Sequence, residues 1–86
     1  MVSKTVQFNC DEALHMKAVA ILIQKASTFR SSLYLAKGER RANAKSLLGV
    51  MSLGIENAAD LTVSAEGSDE KEALEAISGY LANPEF

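Results

Sequence analysis

His15 is the one histidine of the chain. It stands where a polar turn, Asn9-Cys10-Asp11-Glu12-Ala13-Leu14, gives way to an apolar-periodic run that begins at Met16. The periodicity places a helix start there. The first turn of a helix carries unpaired N–H groups and a partial positive charge, so it seats a phosphate. Lys17 adds a cation two residues later. A ring nitrogen that can take a phosphoryl group, an anion-binding helix end and a counter-charge thus fall close together. Ser46 is the second candidate. It precedes Leu47-Leu48-Gly49-Val50-Met51-Ser52-Leu53-Gly54, where serine suits an N-cap and Gly54 suits the stop after the helix.

Other chemistries find no support in the residues. One cysteine, Cys10, and one histidine are too few for a Cys/His metal cluster, and no internal disulfide can form. There is no glycine-rich phosphate loop, no paired carboxylates in a polar run and no Ser/His/Asp set, so a conventional enzyme is disfavoured. No metal and no cofactor is expected. The formal net charge of -2 argues against a nucleic-acid binder, which would show a basic balance. No apolar run is long enough to cross a membrane, the N-terminus lacks an apolar signal core, and a reducing, cytoplasmic setting is expected.

The elements that must position these residues follow from hydrophobic periodicity. Val6 and Phe8 alternate with polar neighbours in a β-prone run from Val2 to Asn9, and Cys10 continues the inward parity. Lys4 interrupts the alternation, which suggests an edge strand. From Met16 to Phe29 the period changes: Val19, Leu22, Ile23, Ala26 and Phe29 form one helical stripe. Leu33 and Leu35 mark a second strand. Lys37-Gly38-Glu39 is a turn, and Arg40-Arg41-Ala42-Asn43 returns as a polar second arm whose arginines read most simply as a solvated strand end. The segment after Ser46 is apolar nearly all round. A two-turn helix on a small domain cannot bury every side, so some of Leu47, Leu48 and Met51 should form an exposed docking patch; the competing reading wedges the whole helix into the core. Asn57-Ala58-Ala59 is a loop, and Leu61, Val63 and Ala65 alternate as the last strand. Asp69 and Glu72 have capping-box spacing before a final helix striped by Ala73, Leu74, Ile77 and Leu81 and ended at Asn83-Pro84. The order is strand, helix, strand, strand, helix, strand, helix, in one small domain over residues 1–86. Helices can cover one sheet face and leave the other wet, an α+β open sandwich.

This order, His15 at the first helix start and the stretch Asn43-Ala44-Lys45-Ser46-Leu47-Leu48-Gly49-Val50-Met51-Ser52-Leu53-Gly54 resemble the HPr family, the small phosphocarriers of the bacterial phosphoenolpyruvate-dependent sugar phosphotransferase system. The similarity runs over essentially the whole chain, including Gly67-Ser68-Asp69-Glu70. It implies a βαββαβα open-faced sandwich, with a four-stranded antiparallel sheet covered on one face by three helices. It also implies that His15 accepts a phosphoryl group from Enzyme I, with Lys17 beside it, and passes it to sugar-specific IIA proteins or domains. By the same resemblance Ser46 is the target of HPr kinase/phosphorylase, with a catabolite-control transcription regulator as a further partner. The protein would be a carrier, not a stand-alone catalyst.

The family pattern around the histidine is Gly-Leu/Ile-His-Ala-Arg-Pro-Ala, and this chain has Ala13-Leu14-His15-Met16-Lys17-Ala18-Val19. Arginine offers a planar fork to a phosphate and lysine a point charge. Proline presets a helix start and alanine does not. The serine stretch has no such departures. A related group, the Crh proteins, keeps the serine and lacks the histidine. The alternative reading is therefore a Crh-like regulatory module that acts through phospho-Ser46, with His15 slow or silent.

Overall fold

A computed structural model describes residues 1–84; residues 85 and 86 of the expected domain lie outside the described residues. Four strands and three helices follow in the order β1 (Val2–Phe8), α1 (His15–Ser27), β2 (Ser32–Lys37), β3 (Arg40–Asn43), α2 (Leu47–Ser52), β4 (Ala59–Glu66) and α3 (Glu70–Ala82). The strands form one antiparallel sheet in the order β1-β4-β2-β3. Val6 lies opposite Leu61, and Leu35 lies between Val63 and Ala42. β1 is an edge strand, which is why it tolerates Lys4.

The alternating residues of the strands put Phe8, Leu33, Leu35, Leu61, Val63 and Ala65 on the covered face, all buried. Ala18, Val19, Leu22 and Ala26 of α1, Val50 and Leu53 at α2, and Ala73, Ile77, Tyr80 and Leu81 of α3 close over them. The Tyr80 hydroxyl donates to the Ala18 carbonyl at 3.0 Å and ties α3 to the first turn of α1. The opposite sheet face is open and polar. There the Thr5 and Thr62 hydroxyls meet at 2.8 Å, and the Arg41 guanidinium lies 3.9 Å from the Tyr34 ring centroid.

Three local expectations need correction. α1 ends at Ser27 and not at Phe29. The Thr28 hydroxyl donates to the Lys25 carbonyl at 2.7 Å and closes the helix early, so Phe29 packs half-buried against the core from the turn beyond. The arginines of β3 are not merely solvated. Arg41 stacks on Tyr34, and Arg40 donates to the Ser52 carbonyl at 3.3 Å.

The third correction concerns α3. Asp69 makes no side-chain cap to its own helix, so there is no capping box with Glu72. Its carboxylate accepts instead from the Arg30 N–H and the Ser31 N–H, each at 2.9 Å, and from the Ser31 hydroxyl. The Ser31 hydroxyl first, and then the Arg30 N–H, hold the Asp69 carboxyl at about 2, below the ordinary carboxylate range. Glu70 turns back to accept the Gly67 N–H at 3.3 Å. The close approach requires glycine at 67: its φ is +152°, and a Cβ there would lie 2.6 Å from the Ser31 hydroxyl oxygen.

Candidate functional site

β1 delivers the chain to the site by burying Phe8. The turn that follows is organised by Asp11, whose carboxylate accepts the Ala13 N–H at 3.3 Å and whose carbonyl accepts the Leu14 N–H at 2.8 Å. A 3₁₀ turn, Glu12–Leu14, runs from there straight into α1 at His15. The N-cap of α1 is Leu14, which has no side-chain acceptor to offer. The first turn of α1 is therefore uncapped by any side chain, while the His15 N–H itself donates to the Glu12 carbonyl of the preceding turn. Lys17 is exposed on that same turn.

His15 is half-buried. Its ring packs at a tilt on Phe8, with centroids 5.3 Å apart. Its Nε2 lies 3.0 Å from the Cys10 carbonyl oxygen. A carbonyl can only accept, so Nε2 carries a proton, and in the neutral ring Nδ1 is the nitrogen with the lone pair. The imidazole is thus set as a nucleophile at Nδ1.

The ring borders a cleft of about 160 Å³ between the start of α1 and α2. Buried Phe8, Val19 and Val50 line it from within, and Met16 and Met51 line it from the exposed side. Gly54 and Ile55 complete it.

α2 is held at both ends. Ser46 is its N-cap, in extended geometry, and its hydroxyl oxygen accepts the Gly49 N–H at 3.1 Å. At the other end Lys37 donates to the Gly54 carbonyl at 2.5 Å, near the Arg40 contact to Ser52. Cations suit this end because the last helical carbonyls are electron-rich and unpaired. Gly54 takes φ +66°, the left-handed stop expected there. Between these anchors only Val50 of the helix is fully buried, with Leu53 just after it. Leu48 is 80% exposed, Leu47 48% and Met51 47%. The helix thus leaves an exposed apolar patch and is not wedged whole into the core, and Met16, 61% exposed, extends the apolar surface across the cleft to α1.

The structure brings His15 and Met51 to one cleft. Leu47, Leu48 and Ser46 do not line that cleft, and Ser46 caps the far end of the helix that carries Met51. Phe8 as the platform for the ring and Cys10 as its carbonyl partner were not legible as site residues. The inward parity of both pointed only to burial. Among the described residues no His/Cys/Asp/Glu group gathers at metal-binding distance, and no helix is long and apolar enough to cross a membrane.

The chain belongs to the PTS HPr family: residues 2–83 match the family described as the PTS HPr component phosphorylation site. It is 36% identical over 81 residues to the HPr-like protein Crh of Bacillus subtilis (strain 168), covering 94% of this chain and 95% of that protein. Among solved structures it resembles HPr-C-His from Thermoanaerobacter tengcongensis, with a TM-score of 0.91, 34% identity and full coverage of both chains. It also resembles the phosphocarrier protein HPr from Bacillus anthracis str. Ames, with a TM-score of 0.88 and 38% identity over 93% of this chain and 95% of that one.

Proposed function

We propose that this protein accepts a phosphoryl group on His15 from Enzyme I and passes it to IIA proteins or domains in the cytoplasm. The observation that carries the reading is the His15 Nε2–H bond to the Cys10 carbonyl, which makes Nδ1 the nucleophilic nitrogen of the neutral ring at a helix start without a side-chain cap. In the transfer, the Nδ1 lone pair attacks the phosphorus of the donor phosphohistidine in line. A new N–P bond forms, the donor N–P bond breaks, and its electron pair returns to the donor imidazole. The N–H groups of the first α1 turn and the Lys17 ammonium receive the phosphoryl oxygens. The chain needs no metal or cofactor for this and turns nothing over by itself, so it is a carrier and not an enzyme. Leu47, Leu48 and Met51, with Met16, form the surface on which partners dock.

Ser46 is the regulatory site in this reading, phosphorylated from ATP by HPr kinase/phosphorylase. Added phosphate would sit at the α2 start, with a dianion beside the apolar patch that repels acidic partner surfaces. The phosphorylated protein would also meet a catabolite-control transcription regulator. A second reading is favoured by one particular observation: Met16, Lys17 and Ala18 replace the family's alanine, arginine and proline, while the Ser46 segment keeps its pattern. In that reading phospho-Ser46 signals and His15 is slow or silent.

Incubation with phosphoenolpyruvate and Enzyme I separates the two. The carrier reading expects an acid-labile, base-stable phosphate that His15→Ala abolishes. No label after long incubation, with Ser46 still taking phosphate from ATP, would leave the regulatory reading.

A further inference from the structure

We infer that Asn57 is a positioning residue for His15, acting through Cys10; the inference rests on His15 being the phosphoryl acceptor. The amide oxygen of Asn57 accepts the Cys10 N–H at 3.1 Å. The Cys10 carbonyl accepts the His15 Nε2–H at 3.0 Å. These two Cys10 groups flank one α-carbon, so tethering the N–H limits how far the carbonyl can swing. Asn57 lies 47 residues from Cys10 in the chain and is itself exposed, so its contact adds nothing to core packing.

The turn that carries Asn57 is built around this contact. Ala58 adopts φ +65°, a left-handed conformation that a residue with a Cβ seldom takes. Such a conformation persists where its surroundings over-determine it. Here the Ala58 N–H donates to the Phe8 carbonyl at 2.7 Å, and the Gln7 side-chain amide donates to the Ala58 carbonyl at 3.3 Å. The Ala59 N–H closes the turn on the Glu56 carbonyl at 3.2 Å. The end of β1 therefore grips the turn, and the turn presents an acceptor to the Cys10 N–H just beyond β1. Without that acceptor the Cys10 peptide can tilt away from the ring. The ring then loses its fixed partner for Nε2–H, and the Nδ1 lone pair loses its fixed direction.

The test compares wild type, Asn57→Ala and Asn57→Asp. Aspartate keeps an acceptor oxygen at the same reach, and alanine removes it. Nitrogen-15 NMR of the His15 ring, at a pH where it is neutral, should show one ordered Nε2–H ring in wild type and in Asn57→Asp. In Asn57→Ala the ring shifts should move toward a tautomer average. Single-turnover transfer from phosphorylated Enzyme I should fall roughly three- to ten-fold in Asn57→Ala and recover in Asn57→Asp. Wild-type ring shifts in Asn57→Ala, or equal ring shifts in the two variants, would overturn the proposal. The NMR readout needs no phosphoryl donor. A wild-type protein that takes no phosphate, but whose ring responds to Asn57→Ala and not to Asn57→Asp, would overturn the carrier reading and leave Asn57 as the residue that positions the ring.

Discussion

The starts of α1 and α2 are built in opposite ways. α1 begins on Leu14, which caps nothing, and its first residue is a half-buried imidazole held by a backbone carbonyl. α2 begins on Ser46, whose hydroxyl is already spent on the Gly49 N–H. At a start without a side-chain cap a visiting anion displaces no capping side chain when it arrives. A capped start uses its hydroxyl for the helix itself, so a phosphate placed there changes a structural element. Under the proposed function, the difference would suit a transient group at His15 and a lasting signal at Ser46.

The contrast is sharpened most by the apolar surface between the two starts. Replacing Leu47 and Met51 together with alanine should weaken partner binding by about 1–3 kcal/mol, the range of interface anchors. Their exposure means the melting temperature should barely move. Val50→Ala, in the same helix, should do the reverse: it removes fully buried methyl groups and should destabilise the fold by about 1–2 kcal/mol, with partner affinity kept. Calorimetric binding to Enzyme I alongside thermal unfolding checks both. A large stability loss from the Leu47/Met51 pair would erase the distinction between patch and core.

Removing the cap tests the asymmetry itself. Ser46→Ala should cost about 1 kcal/mol in urea unfolding, the usual value of a serine N-cap. Leu14→Ala should remove no cap hydrogen bond, because Leu14 makes none. Equal cap losses at the two sites would break the comparison.

The departures around His15 offer a smaller lever. Restoring the full family pattern would place proline at 18, where α1 has already begun and the N–H is the first that can bond back into the helix. The cleaner test is Met16→Ala with Lys17→Arg, which widens the cleft rim and supplies a bidentate fork. Single-turnover transfer should rise roughly five-fold, about 1 kcal/mol in barrier. Unchanged transfer would mean that lysine and methionine serve this site as well as the family residues do.

The last effect is a pH dependence set by Asp69, away from both starts. Its folded carboxyl is held at about 2, below the unfolded value. A depressed carboxylate stabilises the fold above its unfolded pKa and loses that contribution as pH falls through the folded one. The melting temperature should therefore drop between about pH 4 and pH 2, and Asp69→Asn should flatten the drop. If both helix starts also loosen over this range, the Cys10 and Gly49 amides will lose exchange protection together with Ser31.

Much of the site was legible because its signals are local. Ser46 and Gly54 bracket a helix by cap chemistry alone, and both perform as expected. His15 could be placed at a helix start because the apolar period changes there. The failed capping box has the opposite lesson. Asp69 has the right spacing to Glu72, but three donors from the turn before β2 bind its carboxylate more fully than its own helix can. Arg40 misled for the same reason, since its partner is a carbonyl at the end of a different element.

The sequence by itself determined the elements, their order and their caps, since period and capping depend on residues within a few positions of one another. It also carried the family, through a continuous motif around Ser46 and a histidine at the right place. Tertiary structure decided the rest. An all-apolar helix carries no information on which side is covered, so only docking against α1 and β3 separated buried Val50 from exposed Leu48. The tautomer of His15 was likewise undetermined, because it depends on which backbone carbonyl the turn brings to Nε2. That carbonyl is steadied by a residue from the loop before β4, far along the chain, and only the pairing of β1 with β4 brings the two together.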